Sequence, residues 1–239
     1  MIVSTKAIVI SAIKYGENHL IVKCYTEKEG AKSYLLRGVL SSRKKQLKAA
    51  YFQPLTQLKI VANHKTNQTL HTIKEVEINN HYTSLSIDIY KQSIVLFLSE
   101  VLNYSIREEE ENLPLYNYLE SAFIWLDIHK NISNFHLVFL LNLTKYLGFY
   151  PELNNPDYNY FDLSEGNFTN QLPKFNFIKG GDLIEFNKLL GINFDTIEVV
   201  KFNSKSRQQV LSILIQYYEL HLNGFRKPKS LEVLKALFH

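Results

Sequence analysis

Residues 3–36 read VSTKAIVISAIKYGENHLIVKCYTEKEGAKSYLL, and the places where this stretch breaks decide the fold. Val3–Ile13 is rich in β-branched residues and stops at Tyr15-Gly16-Glu17-Asn18, a combination that favours a tight turn. Leu20–Tyr25 then alternates, with Leu20, Val22 and Cys24 on one side and Lys23 and Tyr25 on the other. Lys28-Glu29-Gly30 marks a second turn, and Ala31–Leu36 a third strand. Further out, Leu55–Val61 and Leu70–Ile78 carry the same signals, separated by Asn63-His64-Lys65-Thr66-Asn67. Five short strands with two longer connections predict that residues 1–80 form a small β-barrel of the OB type, with a split sandwich as the alternative. The register of the last strand is ambiguous, because Ile73 and Val76 fall on opposite parities.

Beyond residue 83 the apolar period changes from two to that of a helix. Ile87, Tyr90, Ile94, Phe97, Leu98 and Val101 form one stripe, which ends before the acidic run Glu108–Glu111. Pro114 opens a second helix through His129, and a third runs from Ser133, an N-cap candidate, to the stop at Gly148. Prolines and glycines interrupt residues 149–180, where Tyr160–Phe168 reads as a short hairpin. Helices resume at Asp182–Leu190, Ser206–Asn223 and Ser230–Phe238. The chain is therefore expected to be α+β: a barrel over 1–80, then a helical domain over 81–239 with 149–180 as a non-helical insertion.

The 239 residues are 46% hydrophobic and 21% charged, which excludes a disordered chain. The longest apolar runs, such as Ile94–Leu98 and Leu137–Leu141, are five residues, well short of the roughly 18 a membrane span needs. The N-terminus reads as a strand, not a signal peptide, so a cytoplasmic location is expected. Cys24 is the single cysteine. It excludes an intrachain disulfide and a four-thiolate zinc site, and its place on an apolar face predicts an inert thiol.

Charge is unevenly spread. Residues 1–80 hold 13 Lys and Arg against 5 Asp and Glu, a balance of +8, whereas residues 81–150 stand at −4. Such an asymmetry points to an acidic partner for the first segment, and nucleic acid supplies the densest row of negative charge. The sharpest feature is Arg37-Gly38-Val39-Leu40-Ser41-Ser42-Arg43-Lys44-Lys45-Gln46-Leu47-Lys48, which holds five cations and no acid. It follows the third strand, where a loop can track a phosphate backbone beside a stacking surface. Arg37, Arg43, Lys44, Lys45 and Lys48 are the candidate DNA contacts, and Lys23, Tyr25, Lys32, Tyr34 and Tyr51 would extend the surface. The competing reading is a solvated loop whose charges serve solubility.

Catalytic patterns are missing. The eight histidines show no zinc-ligand spacing, and no glycine-rich phosphate loop, H-E-x-x-H or nucleophile elbow occurs. Four consecutive glutamates at Glu108–Glu111 point in different directions and are expected to be hydrated, unlike a catalytic carboxylate pair. The chain is therefore expected not to be an enzyme and to use no metal or other cofactor. Near the C-terminus, Arg226, Lys227 and Lys229 are candidates for partner binding, although cations there also suit a helix C-terminus.

Taken in order along the chain, several segments resemble the bacterial recombination mediator family RecO. These are Lys14–Val22, Thr26–Gly30, Arg37-Gly38 with its basic loop, and Phe52-Gln53-Pro54-Leu55. Leu147–Leu153, Phe161–Gly166 and Leu222–Leu234 with Lys229-Ser230 continue the likeness. Many members of that family carry a four-cysteine zinc site around the insertion, and residues 149–180 here have no cysteine. The insertion must then hold its shape by packing of Tyr158, Tyr160, Phe161 and Phe168. The resemblance implies binding to single- and double-stranded DNA and annealing of complementary strands. It also implies contact with the single-stranded-DNA-binding protein and with RecR, and help in loading RecA at gaps. The DNA contacts it implies are Arg37, Arg43, Lys44, Lys45 and Lys48. Two other classes stay open on the residues alone: an RNA-binding OB protein, and a helical interaction scaffold whose barrel is only structural.

Overall fold

The computed structural model describes residues 1–41, 47–65 and 68–238. The chain divides into two compact units, Met1–Ile128 and the residues from His129 onward. The boundary expected at residue 80 marks the change of secondary structure; the first compact unit also takes in two helices that follow the barrel.

Five strands make the first unit's barrel: β1 (Ile2–Tyr15), β2 (His19–Thr26), β3 (Gly30–Leu36), β4 (Gln57–Asn63) and β5 (Leu70–Ile78). They close into a barrel in the order β1-β2-β3-β5-β4, the OB arrangement. All pairings are antiparallel except β3 with β5, which is parallel and brief, Ser33 opposite Leu70 and Tyr34 opposite His71. Two irregularities let the chain satisfy both faces. In β1, Val9 pairs with Cys24 and Ser11 with Lys23, so Ile10 is an extra residue. In β5, Ile73 pairs with Ala62 and Glu75 with Val61, which leaves Lys74 as a bulge. That bulge explains the conflicting parities of Ile73 and Val76, since both pack on the barrel core. The core itself is Ala7, Val9, Val22, Cys24, Tyr34, Leu36, Phe52, Leu58, Ile60 and their neighbours.

Ile8, Val9 and Ile10 are all fully buried, which a one-sided strand cannot achieve. The outer face of β1 is covered by α1 (Ile89–Ser105), whose Ser99 hydroxyl donates to the Ile10 carbonyl at 3.0 Å. Asp88 caps this helix, accepting from the amides of Tyr90 and Lys91 at 2.9 and 3.1 Å. The next helix, α2 (Leu113–Ile128), lies over β2 and β4: Tyr116 stacks on Tyr25, and the Gln57 amide donates to the Glu120 carbonyl at 2.9 Å. Its end holds the start of the helical segment in place. The Asp127 carboxylate, 6% exposed, accepts from the backbone amides of Thr83, Ser84 and Leu85 and from both hydroxyls of Thr83 and Ser84. Those bonds outweigh burial and bring its pKa down to about 2.

In the second unit α3 (Phe135–Leu147) is buried without interruption from Phe135 to Thr144, and Gly148 ends it with φ 84°. Its N-cap is Asn134 and not the expected Ser133; the Asn134 amide instead donates to the Val200 carbonyl at 2.8 Å. The insertion forms a three-stranded sheet, β6 (Tyr160–Asp162), β7 (Asn167–Thr169) and β8 (Phe177–Lys179), in the order β7-β6-β8. It leads into α4 (Gly180–Asn187), α5 (Ser204–His221) and α6 (Leu231–Leu237). Phe161 packs its ring 5.0 Å from Phe168 and 5.1 Å from Phe186, and His221 bonds the Leu163 carbonyl at 2.8 Å. Aromatic packing thus holds the insertion to α4 and α5.

Candidate nucleic-acid interface

Beyond Val9, β1 pairs with β2 alone, Lys14 opposite Leu20 and Tyr15 opposite His19. Ile13, Tyr15, His19 and Ile21 therefore share the outer face of this hairpin. Ile13 is 62% and Tyr15 55% exposed, a large aliphatic and a large aromatic side chain held up to solvent; Lys14 between them is exposed on the opposite face of the hairpin, opposite Leu20. Sequence reading took Tyr15 as part of a turn. The signal that locates it is the cross-strand register, which places it on a strand.

The basic loop starts against this hairpin. The Gly38 amide donates to His19 Nδ1 at 2.7 Å, and the Leu40 amide donates to the Asn18 carbonyl at 3.1 Å. Ser41 closes a turn on the Gly38 carbonyl, and Val39 inserts into the barrel core. Arg37 is exposed just after β3, one residue before the Gly38 amide that bonds His19. The loop returns at Leu47, which packs on the core, and Lys48 is exposed with its ammonium 5.9 Å from the Tyr51 ring. Arg43, Lys44 and Lys45 lie outside the described residues.

The other five positions expected to extend this surface behave differently. Tyr25 is buried beneath Tyr116, and Tyr34 is buried in the barrel core, so neither presents a ring to a ligand. Their phenols, shielded from water first of all, are pushed up, Tyr25 to about 12. Tyr51 is half-buried against the core. Lys23 points off the outer face of β2, but its ammonium donates to the carbonyls of Asn103 and Ile106 at 3.0 and 2.8 Å. It caps the C-terminus of α1, where unpaired carbonyls attract a cation. Burial first, then the charge of Arg107, pull its pKa down. Lys32 pairs with the Glu109 carboxylate at 3.1 Å.

Glu109 belongs to the acidic run, whose side chains are hydrated as expected, but the run does more than connect two helices. The glutamate side chains are exposed, but the backbone is docked on β3. The Ala31 amide donates to the Glu108 carbonyl at 2.9 Å, and a Cβ on Gly30 would collide with the backbone of Glu108 and Glu110. Gly30, with φ 62°, is thus required both by its turn and by the chain lying on it.

At the same end of β3 the Glu29 carboxylate bonds His64 Nδ1, and His64 Nε2 lies 2.9 Å from the Tyr34 hydroxyl. A carboxylate–imidazole–phenol chain resembles a catalytic relay. Tyr34 is inaccessible, however, and its phenol is held protonated, so the chain ties the β2–β3 turn and the interior of β3 to the end of β4. Cys24 is likewise buried, its thiol pushed up to about 12. Among the described residues no group of three or more His, Cys, Asp or Glu could hold a metal ion, and no helix is long and apolar enough to cross a membrane. In the second unit, Arg226, Lys227 and Lys229 are exposed in the connection between α5 and α6, on either side of buried Pro228.

Comparison with known proteins agrees with this architecture. Residues 1–82 match the model of the recombination protein O N-terminal domain, and residues 87–232 match that of its C-terminal domain. The chain is 49% identical over 238 residues to a DNA repair protein RecO of Flavobacterium psychrophilum, covering all of both chains. It is 39% identical to that of Bacteroides fragilis and 29% to that of Porphyromonas gingivalis, again at full coverage of both. A barrel followed by helices, matched end to end by both domain models and by DNA repair proteins of the same length, makes this chain a member of the recombination protein O family.

Proposed function

We propose that this protein binds single- and double-stranded DNA through its barrel, anneals complementary strands, and helps load RecA onto gaps coated by the single-stranded-DNA-binding protein, together with RecR, in the cytoplasm. The observation that carries the reading is the fastening of the basic loop to His19 and Asn18 of the β1–β2 hairpin, where Tyr15, opposite His19, is exposed and the loop begins at exposed Arg37. An exposed ring on the hairpin to which a cation-rich loop is fastened suits a strand with a charged backbone and exposed base faces. Annealing breaks no covalent bond, so no catalytic group is needed. The DNA contacts are Arg37, Arg43, Lys44, Lys45 and Lys48 of the loop, with Lys14 and Tyr15 from the hairpin. Residues 1–80 supply this surface. The helical part from residue 81, with the insertion at 149–180, serves the protein partners, and Arg226, Lys227 and Lys229 are the candidates for meeting an acidic one.

The test is binding of a single-stranded oligonucleotide as a function of salt, for the wild type and an Arg43/Lys44/Lys45→Ala triple variant. Each phosphate neutralised contributes about −0.7 to the slope of log affinity against log salt, and the variant's slope is expected to be flatter by roughly 2. Equal slopes would clear the loop of a role. Absence of binding by the wild type at low salt would overturn the reading.

A further inference from the structure

Where β3 and β5 pair over only two residues, the barrel wall holds a cavity of about 200 Å³. Its lining is unlike the rest of the barrel surface. Lys23 and Lys32, Arg107, the hydroxyl residues Ser33 and Thr69, and His71 surround it. His71 Nδ1 accepts from the Lys65 amide at 3.3 Å, which leaves the ring's proton on Nε2 as a donor. Burial first, and then His64 and Lys32, hold this ring below the ordinary histidine range, so it is a neutral donor at pH 7. Three cations and several donors converge on one small space, and the single acid lining it is Glu109.

Glu109 fills the role an external anion would take. Its carboxylate lies 3.1 Å from the Lys32 ammonium, whose side chain is only 13% exposed, while the Glu109 side chain is itself 68% exposed. The lysine is fixed in the wall and the glutamate can leave at little cost, because an ion pair with one partner in open water is weak. The backbone beside it stays put, since the Ala31 amide holds the Glu108 carbonyl.

We propose that this cavity is a seat for one backbone phosphate of a bound nucleic-acid strand, and that Glu109 occupies it in the free protein as an internal competitor. The inference rests on the DNA-binding reading above and adds a second point of attachment, at the end of β3 opposite Arg37. Lys32 is the contact that changes partner, from carboxylate to phosphodiester. Lys23 keeps its place on the helix carbonyls and contributes field only. The acidic connection thereby raises the threshold for binding, so that a strand must reach both ends of β3 to displace it.

The test uses the full chain and a single-stranded oligonucleotide across salt, with Glu109→Gln, Lys32→Gln, the double variant, and Glu77→Gln as a control. Glu77 is another exposed acid of the barrel, paired with Lys59 at 3.7 Å, so its change alters net charge equally. Glu109→Gln is expected to bind about fivefold tighter at about 50 mM salt, with a slope steeper by about 0.7. Lys32→Gln should weaken binding, and the double variant should match Lys32→Gln, because the gain acts through Lys32. Tightening by Glu77→Gln equal to that by Glu109→Gln, or a gain that survives in the double variant, would overturn the seat. So would wild-type binding that neither Glu109→Gln nor Lys32→Gln changes, and the DNA-binding reading would then stand without it. Failure of every variant, wild type included, to bind at low salt would remove both.

Discussion

The two ends of β3 carry the same kind of residues and use them in opposite ways. At the Arg37 end, Arg37 and the Tyr15 ring are exposed, and the backbone of the loop is fixed by two hydrogen bonds, to His19 at the start of β2 and to Asn18 in the β1–β2 turn. At the Gly30 end, Lys23 and Lys32 are bonded to the segment that follows α1, and Glu29, His64 and Tyr34 form a buried chain. The difference lies in what covers each end. A helix C-terminus offers unpaired carbonyls and an acidic connection, and any lysine within reach is drawn to them. At the other end Arg37 is exposed, and the loop that carries it is held by His19 and Asn18. A basic strand surface therefore says nothing about binding until its cover is known.

Substitutions can break or sharpen this contrast. The largest effect is expected from Gly30→Ala, at the covered end. Its Cβ would meet the backbone of Glu108 and Glu110 at a positive φ. Strain and overpacking together should cost about 3 kcal/mol, read from the denaturant midpoint at unchanged m-value. Stability within experimental error of the wild type would show that the acidic connection is not held on β3.

Next comes the anchor between the end of α2 and residues 83–85, which lead into α1. Asp127→Asn replaces a charge-assisted acceptor of several amide and hydroxyl bonds, at a loss of about 2 kcal/mol at neutral pH. The carboxyl's folded pKa, about 2, lies below the ordinary value of 3.8, so its contribution is full above about pH 4 and fades as pH falls toward 2. The variant should be nearer to wild-type stability in that acid window than at neutral pH. A constant difference across the whole range would mean that Asp127 is not held ionised by its amides.

The smallest effect, and the one most diagnostic of the open end, belongs to Tyr15→Ala. Removing an exposed ring should move stability by less than about 0.5 kcal/mol. It should weaken single-strand binding by about 1–2 kcal/mol with an unchanged salt slope, as loss of stacking without loss of charge requires. An altered slope, or no loss of affinity, would take Tyr15 out of the interface.

The strands and helices were legible because each carries its own period and its own punctuation. Leu70–Ile78 has the predicted bounds, the hairpin at Tyr160 and the stop at Gly148 lie where turn residues put them, and the connection at Glu108–Glu111 lies where the apolar stripe ends. The core side of β2 was equally plain, since Leu20, Val22 and Cys24 alternate without a break. Tyr25 and Tyr34 were misjudged for different reasons. Tyr25 faces outward, as alternation says, but α2 lies on that face. Tyr34 faces inward, and its hydroxyl has a partner from the β4–β5 connection, 30 residues away. The bulge at Lys74 was invisible because an extra residue resets parity only when a partner strand defines it.

The sequence by itself determined the number and kind of elements, the placement of a basic loop after the third strand, and an insertion that needs aromatic packing. These follow from interactions within a few residues: alternation, turn chemistry, helix stops and local charge. Tertiary structure alone decided which cations stay in water, which tyrosines are buried and which acid lies beside which lysine. Each of those depends on the element that arrives from far along the chain to cover a surface, and no local pattern of residues encodes that arrival.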